Sequence, residues 1–528
     1  MNHFSELFLG LMVAIAALST VARLIGVPYP ILLVLGGLVL GLIPGLPDVQ
    51  LNPDLVLVLL LPPLLYSAAF FASLRDLRAD LRAISLLAVV LVIATACGVA
   101  LVAHALIDGM SWGAAFTLGA VVAPTDPIAA AAIARAQSAP RRVISIIEGE
   151  SLINDGTALV IYRAAVAAVV CGSFSLLDSG FDLVVGAVGG IGIGLLVGWP
   201  IAEIRKRLDD PPVEITISLA TAYAAYLPAA ELGFSGVLAA VTVGVYLGWR
   251  APDVSSVRMR VQGRPVWELL QFLINATLFV LVGLQLPVAA SALKDNSSWA
   301  LAGYAAAIWA TVIGIRLLWG FIMPLLIRAL DRRPEQRERR SQWRARVIIA
   351  WSGMRGAVSL AAALAIPLHT DAGKPFPERD LIIFLAFSVI LATLVIQGLT
   401  LPLLLEKLGV HDDGAEEREE VEARLHAAEA GISRLEELAE EEWTREDTVD
   451  RARRLFEYRQ RRFGAQRDGD GESDGIEDRS VAYQRLQREL LAAQREAVVE
   501  MRNQGHISNE VMTRIERELD LEDERLEI

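Results

Sequence analysis

Residues 1–406 form a series of apolar segments of about 17–30 residues each, and this series constrains the fold more than any other feature. A helix needs roughly 20 mainly apolar residues to cross the hydrocarbon core of a bilayer. With 54% hydrophobic residues and a mean hydropathy of +0.47, the chain is too apolar for an ordinary soluble domain. The sequence therefore predicts an all-α polytopic membrane protein with thirteen transmembrane helices. We place these spans at about 5–22, 29–45, 54–73, 83–107, 112–134, 143–172, 183–203, 213–231, 233–249, 266–287, 299–327, 347–367 and 380–405.

Basic residues alternate along the predicted loops. The six odd-numbered loops hold 22 lysines and arginines, whereas the even-numbered loops hold three. Cytoplasmic loops of membrane proteins are enriched in Lys and Arg. We therefore expect a multi-pass protein of the cell (plasma) membrane, with the odd loops and the C-terminal tail in the cytoplasm and the N-terminus outside.

The acidity of the chain is concentrated after residue 410. Residues 411–528 hold 34 acidic and 19 basic residues, whereas residues 1–410 hold 27 and 29. We predict two domains, a transmembrane domain at 1–410 and an acidic helical cytoplasmic domain at 411–528. This charge balance argues against a nucleic-acid binder, which needs a basic surface.

The tail sequence predicts two helical segments. A second helical run at about 479–503 follows a Gly- and Asp-rich linker at 464–480. The tail is either a solvated helical appendage or a regulatory or dimer-stabilising element, and both interpretations stay open. The first segment carries an apolar stripe at Val421, Leu425, Ala428, Ile432 and Leu435.

Charged residues within the predicted spans are costly, and they are therefore candidates for function. In span 5, Asp126 lies between Pro124 and Pro127, which remove backbone donors and interrupt the helix. Broken helices are tolerated in membranes only where they line a cavity or are buried in protein. Asp126 either caps its own broken helix end or belongs to a cation-binding or helix-end site.

Span 6 has the highest density of oxygen-bearing side chains. Helical spacing places Glu148, Ser151 and Asp155 along one face, with Glu150 and Asn154 on a neighbouring strip. Carboxylate, amide and hydroxyl oxygens are the ligands that hard cations prefer. The cluster indicates a monovalent cation site, and the alternative is a structural polar network between helices.

Span 12 contains a charge of the opposite sign. Arg355 lies between Gly353 and Gly356, which permit close helix approach or local unwinding. A buried arginine needs a partner, and Glu150 is the natural candidate. The alternative is that Arg355 caps main-chain carbonyls of its own loosened helix. Arg163 and Arg316 also lie deep, and the sequence names no partner for either.

The two interrupted spans are the fifth and the twelfth, an odd offset that makes them run in opposite directions. Spans 1–6 and 8–13 are therefore candidate inverted repeats, and paired broken helices indicate a transporter's mid-membrane site. No histidine lies in this polar core, so a carboxylate must carry any proton. One buried carboxylate that holds either a proton or a cation, together with alternating access, is sufficient for exchange.

Several motifs resemble one known family. APTDP (123–127), GESLINDG (149–156) and WSGMRGAVSLA (351–361) resemble the monovalent cation:proton antiporter family. They look closest to the bacterial NhaP-like sodium/proton antiporters, which are related to the Na⁺/H⁺ exchangers of animals. LPPLLYSAAF (61–70) and FLINATLFVLVGLQL (272–286) extend the resemblance, which covers essentially all of residues 1–406.

The resemblance implies roles for individual residues. Asp155 would be the main ion- and proton-binding carboxylate. Glu150 and Arg355 would form a structural ion pair. Further groups would complete or support the Na⁺ or K⁺ site, namely Asn154, Ser151, Asp126 and the main chain at Thr125.

The resemblance also implies an architecture and an activity. A core of spans 4–6 and 11–13 would move against a dimerisation domain in a homodimer. The Asn-Asp form of the motif would accompany electroneutral exchange of Na⁺, or of K⁺ or Li⁺, for H⁺, with a role in pH and cation homeostasis. We expect no enzymatic activity and no cofactor.

Two other classes of protein fit parts of the pattern. A passive cation channel would not need carboxylates that alternately bind protons, and the chain has no carbonyl filter motif like that of potassium channels. An intramembrane aspartyl protease could pair Asp126 with Asp155, but GESLINDG lacks the GxGD signature of such enzymes.

Overall fold

The computed structural model describes residues 2–43, 55–170, 176–293, 297–330, 342–412, 414–468, 476–524 and 526. Every regular secondary-structure element assigned within these residues is a helix. The chain divides into two compact units, Met1–Asp412 and Asp413–Ile528.

The first unit contains eighteen α-helices among the residues described. They are α1 (Asn2–Ile25), α2 (Tyr29–Gly41), α3 (Leu61–Phe71), α4 (Leu74–Ala79), α5 (Leu81–Ser85), α6 (Val92–Leu106), α7 (Trp112–Val122), α8 (Pro127–Ala136), α9 (Arg141–Val170), α10 (Leu176–Arg205), α11 (Pro211–Glu231), α12 (Gly236–Val254), α13 (Val257–Ser291), α14 (Ser298–Leu330), α15 (Trp343–Trp351), α16 (Ala357–Leu364), α17 (Arg379–Ala392) and α18 (Gly398–Leu408). Short π-helical segments at Leu55–Leu60, Leu86–Leu91 and Thr393–Gln397 continue directly into neighbouring helices.

The apolar helices are those of an integral membrane protein. Within the described residues, eight helical stretches are long and apolar enough to cross a bilayer, and three shorter apolar helices accompany them. The predicted class, a helical membrane protein, is confirmed. The count of thirteen spans stays a prediction.

Hydroxyl side chains fix several helix starts. Ser111, Ser235 and Ser256 each accept a hydrogen bond from the main-chain N–H three residues later, at 3.1–3.2 Å. Such caps satisfy donors that have no partner within the helix. The cap at Ser256 explains why α13 begins at Val257, nine residues before the predicted span start at 266.

Helices α2 and α13 cross at very short range. A Cβ atom at Gly283 would meet the main-chain oxygen of Val34, and one at Gly37 would meet that of Val280. Glycine removes the side-chain volume that would otherwise hold two backbones apart. This crossing fixes the position of α13, which forms one wall of the cavity described below.

One arginine assigned to a loop is instead buried. Arg205 ends α10, and its side chain and that of Glu214 are both fully buried, 3.9 Å apart. Its guanidinium also donates to the Ser255 hydroxyl at 3.0 Å and lies over the Phe70 ring. The helix therefore ends two residues after the predicted span end at 203, and Glu214 at the start of α11 gives Arg205 a buried partner.

The second unit contains α19 (Ala415–Ala439), α20 (Glu446–Asp468), α21 (Ile476–Asn503) and α22 (Asn509–Glu524). Leu425 and Ala428 of the predicted apolar stripe are buried. The linker predicted from 464 begins later, because α20 continues to Asp468, and residues 469–475 of that prediction lie outside the described residues.

Candidate ion-binding site

Two helix interruptions meet in the first unit. Residues 123–126 separate α7 from α8, and residues 352–356 separate α15 from α16. The Asp126 N–H donates to the Met354 carbonyl at 2.7 Å, which joins the two interruptions directly. Backbone groups that leave a helix inside the bilayer need such partners.

The Asp126 carboxylate joins the starts of two helices. Oδ1 accepts from the Ile128 N–H at 3.0 Å, and Oδ2 accepts from the Ala357 N–H at 3.3 Å. A carboxylate at a helix N-terminus is favoured by the free N–H groups and the helix dipole. Asp126 therefore has the capping role that the sequence left open, and it caps α16 as well as its own α8.

Gly356 makes this double cap sterically feasible. A Cβ atom at Gly356 would overlap the Asp126 carboxylate. The glycine thus lets the carboxylate approach the N-terminus of α16 closely. The sequence predicts close approach or unwinding at this glycine, and the structure shows a close approach to Asp126.

Glu150 pairs with a different arginine from the predicted one. Its two carboxylate oxygens accept from Arg316 of α14 at 2.5 and 2.7 Å, and both side chains are almost completely buried. Arg316 also donates to the carbonyls of Ala350 and Ile349, at 3.0 and 3.2 Å. The bidentate geometry satisfies both ions, which is the condition for burying such a pair.

The predicted Glu150–Arg355 ion pair is therefore wrong. Arg355 donates instead to the Val122 carbonyl at 2.9 Å and to the Gly353 carbonyl. These carbonyls lie at the two interruptions, where they have lost their helical partners. Arg355 therefore has the alternative role of capping carbonyls, and it does so for both interrupted regions.

A hydrogen-bond chain connects the ion pair to the first interruption. The Thr125 hydroxyl donates to Glu150 at 3.1 Å and accepts from the Asn154 amide at 2.8 Å. The same amide group is 3.3 Å from the Thr125 carbonyl. Asn154 is fully buried, so it holds Thr125 in place from within the protein.

Asp155 has a different environment from these paired residues. It lines an open cavity of about 660 Å³ together with Ser151, Thr125 and Asp126. Among the described residues, no hydrogen bond or ion pair is formed by the Asp155 side chain, whereas Asp126 and Glu150 each accept at least two hydrogen bonds. Asp155 is therefore a buried carboxylate that borders the cavity and has no protein partner among the described residues.

The cavity has a second polar wall that the sequence analysis missed. Arg264, Glu268, Gln271 and Asn275 recur at positions i, i+4, i+7 and i+11 of α13, and all four line the cavity. Asn275 is 5% exposed and its Oδ1 atom is buried without a partner among the described residues. The sequence signal for this wall is the helical spacing of four polar residues at the start of an apolar segment.

Comparisons with known proteins identify the family. The chain matches the family described as sodium/hydrogen exchanger, transmembrane, over residues 10–407. It is 38% identical to an uncharacterized Na⁺/H⁺ exchanger of Mycobacterium tuberculosis, over 97% of this chain and 95% of that protein. It is 33% identical to a sodium, potassium, lithium and rubidium/H⁺ antiporter of Bacillus pumilus, over 76% of this chain and 62% of that one.

A solved structure supports the fold. The sodium proton antiporter MjNhaP1 from Methanocaldococcus jannaschii matches with a TM-score of 0.62 and 21% identity, over 77% of this chain and 99% of that chain. The protein thus has the fold of a helical membrane transporter. The chain belongs to the sodium/hydrogen exchanger family, and the resemblance to NhaP-like antiporters is confirmed.

Proposed function

We propose that this protein exchanges Na⁺ for H⁺ across the cell membrane, with the two ions competing for Asp155. The observation that supports this most strongly is the contrast among the buried acids. Glu150 and Asp126 are occupied by an arginine and by two helix ends, whereas Asp155 lines the cavity without a hydrogen bond or ion pair among the described residues. A carboxylate that is protonated when its cation leaves couples the two fluxes.

The cation ligands that we propose are Asp155, Ser151, Asn154 and the main chain at Thr125, with Asp126 in support. Ser151 and Asp155 lie on the same face of α9 and line the same cavity. Oxygen ligands of this kind suit Na⁺, K⁺ and Li⁺ alike. A K⁺/H⁺ antiporter of the same fold is therefore the second candidate, and the name of the Bacillus pumilus relative favours keeping it.

We further propose thirteen membrane spans in two inverted repeats, with spans 5 and 12 discontinuous. The interruptions between α7 and α8 and between α15 and α16 support this arrangement. The N-terminus lies outside and the tail in the cytoplasm, as the alternation of basic residues indicates. A homodimer, electroneutral stoichiometry and a role in pH and cation homeostasis complete the proposal.

Transport in proteoliposomes tests the function. With an imposed pH gradient and a pH-sensitive dye inside, we expect NaCl to dissipate the gradient and choline chloride to leave it intact. KCl and LiCl, added in separate runs, identify the other cations accepted. The rate should be unchanged when a potassium ionophore clamps the voltage, because one-for-one exchange moves no net charge.

Three results would contradict the proposal in different ways. No cation-dependent proton movement by folded protein would reject antiport. Cation uptake without proton movement would favour the passive channel. A rate that follows the clamped voltage would reject electroneutral exchange and leave antiport in place.

A further inference from the structure

One helix of the acidic tail has the opposite charge balance from the rest. Helix α20 carries seven arginines and five carboxylates, although residues 411–528 as a whole hold 34 acidic and 19 basic residues. Arginine side chains form charge-assisted hydrogen bonds with carboxylates or phosphates. The contacts of its arginines therefore indicate what the helix does.

A cavity of about 510 Å³ lies beside α20. Its volume falls in the range of small-molecule sites, which are mainly apolar with a few convergent polar groups. The lining combines arginines with aromatic rings. It includes Arg424, Arg459, Arg462, Phe456, Phe463, Tyr458 and Tyr483.

Two arginines of this cavity lack a counter-ion. Among the described residues, neither Arg459 nor Arg462 forms an ion pair, although neighbouring arginines of the tail do. The Nε atom of Arg462 is buried and has no hydrogen-bond partner there. A buried unpaired donor of this kind is costly, and an anion in the cavity would remove the cost.

Aromatic rings hold these arginines in place. Arg459 lies over Phe456 at 5.6 Å, and Arg462 lies over Phe463 at 5.7 Å. Arg424 lies over the same Phe463 ring at 5.6 Å. Stacking fixes guanidinium groups while leaving their N–H donors free, which is the arrangement used to bind phosphate. Arg424 is already paired with Glu420, so the stacked guanidinium groups that have no counter-ion among the described residues are those of Arg459 and Arg462.

We propose that this tail cavity binds a nucleotide, with Arg459 and Arg462 holding a phosphate group and the Tyr458 and Tyr483 rings contacting the base. The two tyrosines line the cavity without a guanidinium over either ring among the described contacts. Aromatic faces stack on bases with little dependence on base identity. The site gives the tail a ligand-sensing role that does not depend on the ion site of the transmembrane unit.

Calorimetric titration of the full-length protein in lipid-free detergent tests the proposal. The probes are AMP, inorganic phosphate and adenosine, each without magnesium. We expect AMP to bind with a dissociation constant below about 1 mM and at least about tenfold more tightly than either fragment. The absence of lipid excludes phospholipid headgroups as the source of the phosphate.

Arginine variants then localise the site. Arg459→Gln and Arg462→Gln should each weaken AMP binding at least about tenfold, since each removes charge-assisted hydrogen bonds. Arg454→Gln is the matched control, because Arg454 is an exposed arginine of the same helix outside the cavity. Melting curves without ligand show whether each variant is folded. If Arg462→Gln unfolds the tail because the Arg462 Nε atom is buried, Arg459→Gln still provides the test.

Three outcomes would overturn the proposal. One is the absence of AMP binding to the parent protein. The second is equal weakening by the Arg454 control, which would indicate diffuse charge attraction. The third is inorganic phosphate binding as tightly as AMP, which would exclude a site for the base.

Discussion

Asp155→Asn is expected to abolish Na⁺-dependent proton movement, reducing it to the level of liposomes without protein. Asparagine has nearly the same shape, but it neither carries a charge nor exchanges a proton near neutral pH. Asp155 makes no described hydrogen bond or ion pair in the fold, so its loss should leave the structure intact. Proteoliposome flux and a melting curve, measured on the same preparation, separate transport from folding.

The control for this variant is the same substitution at a site outside the cavity. Asp108 is exposed and follows α6, so Asp108→Asn changes the net charge equally. It should leave exchange at the parental rate. Near-parental exchange by Asp155→Asn would remove this carboxylate as the shared ion and proton site.

Glu150→Ala is expected to lower the free energy of unfolding by about 3–5 kcal/mol, because it leaves Arg316 buried and unpaired. The effect should appear as a large fall in melting temperature. Glu148→Ala is the matched control on the same helix. Glu148 pairs with Arg135 where both side chains are partly exposed to solvent, and a solvent-exposed ion pair contributes about 0–1 kcal/mol.

A double-mutant cycle decides which arginine is the partner of Glu150. Replacing Arg316 by methionine in the Glu150→Ala background should recover part of the lost stability, since no unpaired ion remains, although the carbonyls of Ala350 and Ile349 lose a donor. Replacing Arg355 in that background should add a further loss, because Arg355 caps the carbonyls of Val122 and Gly353. The reverse pattern would restore the predicted Glu150–Arg355 pair.

Sequence periodicity predicted the parts of this structure that depend on local pattern. Apolar segments indicated membrane helices, and prolines around Asp126 indicated where a helix ends. Spacing alone placed Ser151 and Asp155 on the same face of α9, where both line the cavity. Each inference needs only the geometry of a single helix.

Partners distant in the sequence were beyond such reasoning. Glu150 and Arg316 are 166 residues apart, and no spacing rule connects α9 with α14. Arg355 was the more conspicuous arginine because glycines surround it. Those glycines instead leave room for two other side chains, Gly353 for Arg316 and Gly356 for Asp126.

In the tail, too, the sequence predicted features within one helix but not contacts between helices. The apolar stripe predicted that Leu425 and Ala428 would be buried, because both lie on one face of one helix. The cavity with Arg459 and Arg462 depends on how separate helices of the tail pack together. The spacing of the arginines along α20 does not indicate which residues of other helices they approach.

Proton release on Na⁺ binding tests the central claim most directly. NaCl is added to the detergent-solubilised protein in weak buffer, and the released protons are titrated over a range of pH. If one carboxylate serves both ions, Na⁺ must displace protons, and its apparent affinity must fall as the pH is lowered. We expect release from the parent protein and from Asp108→Asn, and none from Asp155→Asn. Na⁺ binding without proton release, or release that survives in Asp155→Asn, would contradict the account.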